Sequence, residues 1–325
     1  MFLSLFGAVE SGVIYAIMAL GVYLSFRILD FPDLTVDGSF VTGAAVATIS
    51  IMNGVPPIIA TLLGALAGFL AGCITGILHT KGKINPLLSG ILMMIALYSI
   101  NLRIMGRPQL SLLNDTTITD QLTKVWEFTG IDPLINGVLG SMGVERFPKT
   151  WALFFIMLIV TIVIKLMVDY YLKTEVGLAL RATGNNQKMI RSFSANTDIL
   201  IIMGIGLSNG LVALSGALLA QHGGFADVGM GIGMIIIGLA SVIIGEALFG
   251  AKTIARATLA VIGGAIVYRI VVTLALRFEF LDTGDMKLIT ALLVIIALVT
   301  PKVMQNYHDK KRRKEKRAQL ESEGA

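Results

Sequence analysis

The chain has 325 residues, of which 55% are hydrophobic and only 14% charged, with 26 Lys and Arg against 21 Asp and Glu. Soluble domains carry about 25% charged residues, so this composition excludes a globular protein surrounded by water and predicts one surrounded by lipid. The start of the chain lacks the basic leader and cleavage site of a signal peptide, and we therefore expect its first apolar segment to stay in the mature protein.

Apolar stretches in chain order predict an all-α, polytopic membrane protein with about nine transmembrane or membrane-embedded helices, because about 20 apolar residues cross a hydrocarbon core. The predicted helices cover residues 4–27, 39–52, 57–79, 85–105, 150–172, 199–221, 230–250, 254–276 and 286–303. Residues 1–303 would form a single transmembrane domain, followed by a basic tail over 304–325. The segment 39–52 is short enough to re-enter the membrane instead of crossing it, which leaves open the side on which the N-terminus lies.

Basic residues predict the orientation of the chain, because loops rich in Lys and Arg stay in the cytoplasm. The tail 304–325 and the connection 173–198 are basic, whereas acidic residues outnumber basic ones in the long loop 106–149. We therefore expect a multi-pass protein of the cell (plasma) membrane with a cytoplasmic C-terminus. The loop 106–149 would be a folded outer loop with one or two short helices.

The stretch from Phe31 to Phe40 interrupts two apolar segments with two acids, Pro32 and Gly38. Pro32 removes a helix hydrogen bond and Gly38 loosens the backbone, so a helix break is expected here. Irregular backbone at membrane depth survives only where it is buried in protein or lines a watery cavity. We therefore predict that the polar residues of this stretch lie on a translocation path, namely Asp33, Thr35, Asp37 and Ser39.

A second interruption, Phe225–Gly233, also opens with Phe-x-Asp and is rich in glycine. Paired interruptions in the two halves of a transporter indicate an inverted internal repeat with the path between its members, so Asp227 joins the predicted path. The alternative is an ordinary turn at the membrane surface. Arg269 lies well inside the segment 254–276, and an intramembrane charge is a candidate for the same path, although its side chain could instead reach the outer surface.

Four glycines at strict i, i+4 spacing form one stripe on the third predicted helix: Gly64, Gly68, Gly72 and Gly76. Such a stripe lets a neighbouring helix approach closely, because van der Waals contact drives helix association in lipid. We predict that the stripe packs against another helix, with the lining of a path as the alternative.

The connection 173–198 has the pattern of two short helices separated by a Gly-Asn break, with Asn185 as the N-cap of the second. An amphipathic hairpin between long crossings is suited to a cytoplasmic partner that moves the membrane helices. The alternative is a plain, positively charged connection.

Three stretches carry a resemblance to a known family. Residues 11–21 with the break that follows them, residues 177–186 and residues 236–250 resemble parts of permease subunits of the branched-chain amino acid and ribose type in ATP-binding-cassette importers. In that family the stretch that matches 177–186 sits in a groove of the ATPase, which implies a coupling role here for Glu175, Gly177, Arg181, Gly184 and Asn185. The Phe31–Phe40 break resembles the subgroup whose suggested cargo is tryptophan or tyrosine, and it differs from the break of branched-chain permeases.

The resemblance implies a permease subunit that forms the path for a small polar solute, an amino acid of aromatic type. Its implied partners are a cytoplasmic ATPase dimer, an extracytoplasmic substrate-binding protein, a second copy of this chain and membrane lipids. The sequence has no phosphate-binding loop that ends in Gly-Lys-Ser/Thr, so we expect no enzyme activity, no catalytic residue, no cofactor and no metal in this chain, with ATP on the partner subunit. We expect the positive charge to meet anionic lipids and not nucleic acid. The alternative function is an ion- or proton-coupled secondary transporter that uses Asp33, Asp37, Asp227 and Arg269.

Overall fold

The computed structural model describes residues 2–275, except 129, 142–146, 149 and 194, together with the isolated positions 288, 291, 292 and 295. The elements in chain order are α1 (Phe2–Val22), a π-helical segment (Tyr23–Ile28), α2 (Thr35–Met52), α3 (Pro57–Thr80), α4 (Pro86–Met105), β1 (Gln109–Ser111), α5 (Ile118–Glu127), α6 (Ile131–Ser141), α7 (Ala152–Lys173), α8 (Glu175–Asn185), α9 (Gln187–Ser192), α10 (Thr197–Gly223), β2 (Phe225–Asp227), α11 (Met234–Phe249) and α12 (Ile254–Ala275).

Seven helices in the described part of the chain are long and apolar enough to cross a membrane, judged by length and composition. They are α1 with the π-helical segment, α2, α3, α4, α7, α10 and α12. α11 is apolar too but has only 16 residues. The all-α polytopic fold predicted from the sequence is therefore confirmed. The predicted helix 286–303 lies outside the described residues apart from the isolated positions, and the basic tail 304–325 lies outside them entirely.

The helix break predicted over residues 31–40 is wrong at its C-terminal side. α2 begins at Thr35, so Asp37 and Ser39 are helical and the non-helical part ends at Leu34. The reason is local: the Asp33 carboxylate accepts a hydrogen bond from the Thr35 backbone N–H at 2.9 Å, and an acceptor at this place starts a helix. α2 then has 18 residues, a length of about 27 Å, which favours a crossing over a re-entrant segment.

Contacts between helices fix their directions. Two hydrogen bonds join α1 to α10, from Ser215 to the Ile14 carbonyl and from Ser208 to the Gly21 carbonyl, and their order shows that the two helices are antiparallel. Other contacts in the bundle give the directions of the neighbouring helices, which alternate along the chain. One end therefore collects the π-helical segment, α8, α9 and the connections α3–α4 and α11–α12. The other end holds the start of α1, the α5–α6 region and the two strands.

The two ends differ in charge. The first end carries many of the basic residues, and we call it the basic end: Lys81, Lys83, Lys173, Arg181, Lys188, Arg191, Lys252 and Arg256. We call the other the hairpin end, after the antiparallel pair of β1 and β2, in which Leu110 stands opposite Ala226. The loop 106–149 at the hairpin end contains β1 and the two short helices α5 and α6.

The glycine stripe of α3 lies against α10. A Cβ built on Gly68 would be 2.1 Å from the Ala213 Cβ, and one built on Gly72 would be 2.5 Å from the Ile205 carbonyl oxygen. Cβ atoms on Gly64 and Gly76 would lie 2.7 Å from backbone atoms of α2 and α10, respectively. Side chains at these positions would separate helices whose association in lipid depends on close van der Waals contact.

Candidate translocation site

The break between α1 and α2 is held by a buried carboxylate. Asp33 is completely buried, and its two oxygens accept hydrogen bonds from the Thr35 N–H (2.9 Å) and from the Asn209 Nδ2 (2.6 Å). Asn209 lies in the middle of α10, so this pair ties the break to a long helix. Burying a carboxylate is costly unless it is hydrogen-bonded, and both oxygens are bonded here.

The start of α2 also contacts α3 and α4. The hydroxyl groups of Thr35 and Thr75 are 2.8 Å apart, and a Cβ built on Gly90 would lie only 2.7 Å from the Leu34 backbone nitrogen. The N-terminus of α2 is therefore enclosed by three helices and anchored at several points.

The second break is a run of tight turns from Val228 to Gly233, between β2 and α11. Several of its backbone hydrogen bonds join residues three apart, as in the bond from the Ile232 N–H to the Gly229 carbonyl. Gly233 has φ of +88°, a conformation that glycine adopts without strain. A Cβ on Gly231 would lie 2.1 Å from the Asp37 carbonyl oxygen, so this segment can pack on α2 only with glycine there.

Asp37 joins the two breaks. Its carboxylate accepts hydrogen bonds from the backbone N–H groups of Gly233 (2.9 Å) and Ile235 (2.8 Å), at the first turn of α11. α11 has no cap from its own side chains, so a residue of α2 satisfies its free N–H groups and its positive dipole end. The N-termini of α2 and α11 thus approach each other from opposite directions, the arrangement that an inverted repeat predicts.

The junction lies deep in the bundle. Ile235 packs in one apolar cluster with Tyr15, Met18 and Val22, which stand in the middle and second half of a span that runs from Phe2 to Ile28. The non-helical segment before α11 therefore reaches the interior from the hairpin end. Backbone of this kind is tolerated at membrane depth where it is buried in protein or lines a cavity.

A cleft of about 420 Å³ opens beside the junction, between α2, α4 and the second break. It is lined by Asp37, Gly38, Val41, Met94, Ile95, Tyr98, Ser99, Asn101, Val228, Gly231 and Ile232. Its size falls in the range of small-molecule pockets, about 300–1,000 Å³, and most of its walls are apolar with a few polar groups, as is usual for such pockets.

Sequence reasoning missed three polar residues of this region. Asn101 and Tyr98 on α4 line the cleft, and Asn209 on α10 holds Asp33. The signal was present, since polar side chains inside apolar helices tend to make interhelical hydrogen bonds. Nothing in the sequence, however, distinguishes these from other polar residues in the spans.

The remaining predicted path residues lie elsewhere. Ser39 is fully buried, and its hydroxyl has no hydrogen-bond partner among the described residues. Asp227 closes a local turn by accepting from the Gly229 N–H at 2.7 Å. The Arg269 guanidinium lies 4.9 Å from the centre of the Tyr15 ring. None of these three residues lines the cleft.

Helix α8 packs beneath the first break. A Cβ on Gly184 would lie 2.1 Å from the Ile28 carbonyl oxygen, and one on Gly177 would lie 2.1 Å from the Tyr171 carbonyl oxygen at the end of α7. Leu180 is fully buried in a cluster with Leu29 and Phe31 of the break. Movement of α8 would therefore act directly on the chain that leads into α2.

The outer surface of α8 and α9 carries exposed apolar side chains. Val176, Leu178, Met189 and Phe193 are 50%, 51%, 44% and 73% exposed. Glu175 and Asn185 are exposed as well, and Arg181 is half-buried. The predicted cap is corrected by one residue: the Asn186 side chain, on extended backbone, accepts from the Met189 N–H, whereas Asn185 is the last residue of α8.

Within the described residues, no group of three or more His, Cys, Asp and Glu side chains could hold a metal ion. The acids of the site, the buried Asp33 and the partly buried Asp37, are occupied by hydrogen-bond donors of the chain itself. This arrangement organises helix ends and leaves the cleft as the space that a solute could enter.

Comparisons with known proteins agree with this arrangement. A family model described as "Branched-chain amino acid transport system / permease component" matches residues 4–299. A tyrosine transport system permease protein of Clostridioides difficile (strain R20291) is 42% identical over 288 residues, 89% of this chain and 88% of that protein. An uncharacterized protein of Rickettsia prowazekii (strain Madrid E) is 34% identical over 299 residues, 91% of this chain and 96% of that protein. No solved structure matches the chain significantly.

Proposed function

The chain belongs to the family of permease components of branched-chain amino acid transport systems, and from that premise we propose that its own cargo is an aromatic amino acid. The proposal is supported by the 42% identity to a tyrosine transport system permease. The single structural observation that carries it is the cleft beside Asp37, where an apolar wall and a few polar groups meet two helix N-termini.

The basic end faces the cytoplasm in this proposal, because loops rich in Lys and Arg stay on that side. The start of α1 and the strands would then lie outside, where an extracytoplasmic binding protein would deliver the cargo. Residues 1–303 would act as one transmembrane domain, with the tail 304–325 in the cytoplasm beside anionic lipids.

The exposed apolar side chains of α8 and α9 would dock on a separate cytoplasmic ATPase, which would supply the energy. Glu175, Arg181 and Asn185 would lie at or near this contact, whereas Gly177 and Gly184 would let α8 pack closely on α7 and on the first break. Because Leu180 packs on that break, closure of the ATPase would reach the start of α2 through direct contact.

Docking is tested by placing a charge on this surface. Leu178→Asp should abolish co-purification of the ATPase and ATP-driven uptake, because the side chain is half exposed and an acid there would have to be desolvated at the interface. Val125→Asp on α5 is the matched control, since Val125 is also exposed but lies at the hairpin end. Equal retention of the ATPase by both variants would contradict the proposed contact.

The cargo is tested with the complete importer in proteoliposomes, with the binding protein outside and ATP inside. We expect tyrosine or tryptophan to be taken up and an excess of leucine to compete weakly. Uptake of leucine with no uptake of either aromatic amino acid would refute the proposed cargo while leaving the family assignment untouched.

A second copy of the chain would close the open side of the cleft, which otherwise exposes Ile95, Tyr98 and Ile232 at membrane depth. In a Cys73→Ser background, Ile95→Cys should form cross-linked dimers in native membranes. Leu166→Cys on α7 is the control, because Leu166 is comparably exposed on a different helix. Cross-linking at position 166 and not at 95 would place the dimer contact elsewhere.

A further inference from the structure

Asn101 has an unsatisfied oxygen at the cleft. Its side chain is completely buried, and its Nδ2 donates to the Gly38 carbonyl at 3.1 Å. Its Oδ1 is buried and has no hydrogen-bond partner among the described residues. Buried polar atoms are almost always paired, and an exception calls for an explanation. Since Asn101 lines the cleft, a ligand in the cleft is the nearest candidate for the missing donor.

The surroundings of Asn101 suit a flat apolar group with one polar edge. Val41, Met94, Ile95 and Ile232 supply apolar walls around the same space. The hydrogen bond from the Asn101 Nδ2 to the Gly38 carbonyl holds the side chain in one orientation, so the direction of the free oxygen is fixed as well. The side chain is completely buried in this structure, so a donor at the end of an aromatic ring would meet that oxygen once the cleft widens at Asn101, while the ring contacts the walls.

We propose that the cleft is a contact site for the aromatic side chain of the cargo, in which the Asn101 Oδ1 accepts a hydrogen bond from the ring donor, the phenol O–H of tyrosine or the indole N–H of tryptophan. The inference rests on the proposed function and adds a specificity-determining residue to it. Phenylalanine would leave the Asn101 oxygen unpaired, and a site built for a donor discriminates against an analogue that lacks it.

The test compares tyrosine and phenylalanine uptake by the complete importer, for the wild type and for Asn101→Leu. The binding protein is the same in all assays, so its own selectivity cancels when each variant rate is divided by the wild-type rate for the same cargo. We expect the tyrosine ratio to fall about tenfold below the phenylalanine ratio, which corresponds to about 1.4 kcal/mol. Loss of the hydrogen bond from Asn101 to the Gly38 carbonyl would lower both ratios equally and so would not produce this difference.

The outcomes separate the two proposals. Equal tyrosine and phenylalanine ratios, with tyrosine uptake by the wild type intact, would overturn the role of Asn101 and leave the proposed cargo standing. Failure of the wild type to take up any aromatic amino acid would overturn the proposed cargo, and the role of Asn101 with it.

A second measurement needs no second cargo. In the Cys73→Ser background, Ser99→Cys, at an exposed residue that lines the cleft, should react with a membrane-permeant thiol reagent more slowly when tyrosine is being transported. Ile100→Cys is the matched control, because Ile100 is the adjacent residue of α4, is 45% exposed and does not line the cleft. Equal reaction rates of Ser99→Cys with and without tyrosine would contradict contact between cargo and cleft.

Discussion

The two helix breaks of this protein are held in place in different ways. The first, between α1 and α2, is fixed by Asp33 and Asn209 inside the bundle and is enclosed by three helices. The second, before α11, consists of glycine-rich turns and borders the cleft. Its helix end is capped from outside its own segment, by Asp37.

This difference assigns unequal roles to the two breaks. The first is an anchor on which α8 also packs. A movement of α8 at the basic end would therefore shift the whole break together. The second is joined to α2 by the carboxylate of Asp37 and has an exposed face at Ile232. We therefore expect the second break to be the part whose position changes most easily, with Asp37 as the link between the two.

The largest effect is expected when the link is removed. Asp37→Ala would leave the partly buried N–H groups of Gly233 and Ile235 without their acceptor, and an unsatisfied buried group costs up to about 1–3 kcal/mol. Uptake should fall by about tenfold or more, since 1.4 kcal/mol is a factor of ten. Asp37→Asn keeps one acceptor oxygen and should lie between Ala and the wild type. Wild-type uptake by Asp37→Ala would remove the basis for treating the breaks as coupled.

A reciprocal exchange tests the anchor. Asp33→Asn turns an amide towards the Asn209 amide and should lower stability by about 1.5–3 kcal/mol, the worth of a hydrogen bond to a charged group. The double variant Asp33→Asn/Asn209→Asp restores a donor opposite a carboxylate. Thermal unfolding in detergent should show partial recovery in the double variant, and additive losses would argue against the pair as the anchor.

Helix packing behind the anchor is tested with glycine variants. Gly68→Ala places a Cβ 2.1 Å from the Ala213 Cβ, and overpacking of this kind costs about 1–3 kcal/mol. Gly7→Ala is the control, because nothing lies within 4 Å of a Cβ there. Only Gly68→Ala should lower the unfolding temperature. A similar shift in both variants would indicate that the glycine stripe is not a packing surface.

The smallest effect is expected at Asp227, which closes a partly exposed turn ahead of the second break. Asp227→Ala removes one exposed hydrogen bond, and because water can replace the lost acceptor there, uptake should change by about twofold or less. A loss as large as that of Asp37→Ala, measured in the same uptake assay, would show that Asp227 acts on the path itself.

The sequence predicted the positions of the long helices well because hydropathy is a local property of the chain. The predicted segments 57–79 and 85–105 differ from α3 and α4 by one residue at an end. The first break was predicted over residues 31–40 and lies at 29–34, and it was extended too far because an acid before a helix can either interrupt it or cap it. Asp33 caps α2, and this becomes visible only when its acceptor geometry is known.

The sequence by itself determined that the chain is a membrane-embedded bundle with two polar interruptions, since composition and apolar run length are sufficient for that. Only the tertiary structure decided that Asp37 caps α11, that Asn101 faces the cleft and that Arg269 lies beside Tyr15 away from it. The physical reason is that these contacts join residues far apart in the chain. The packing of the helices decides which of these residues come into contact, and no local pattern in the sequence indicates it.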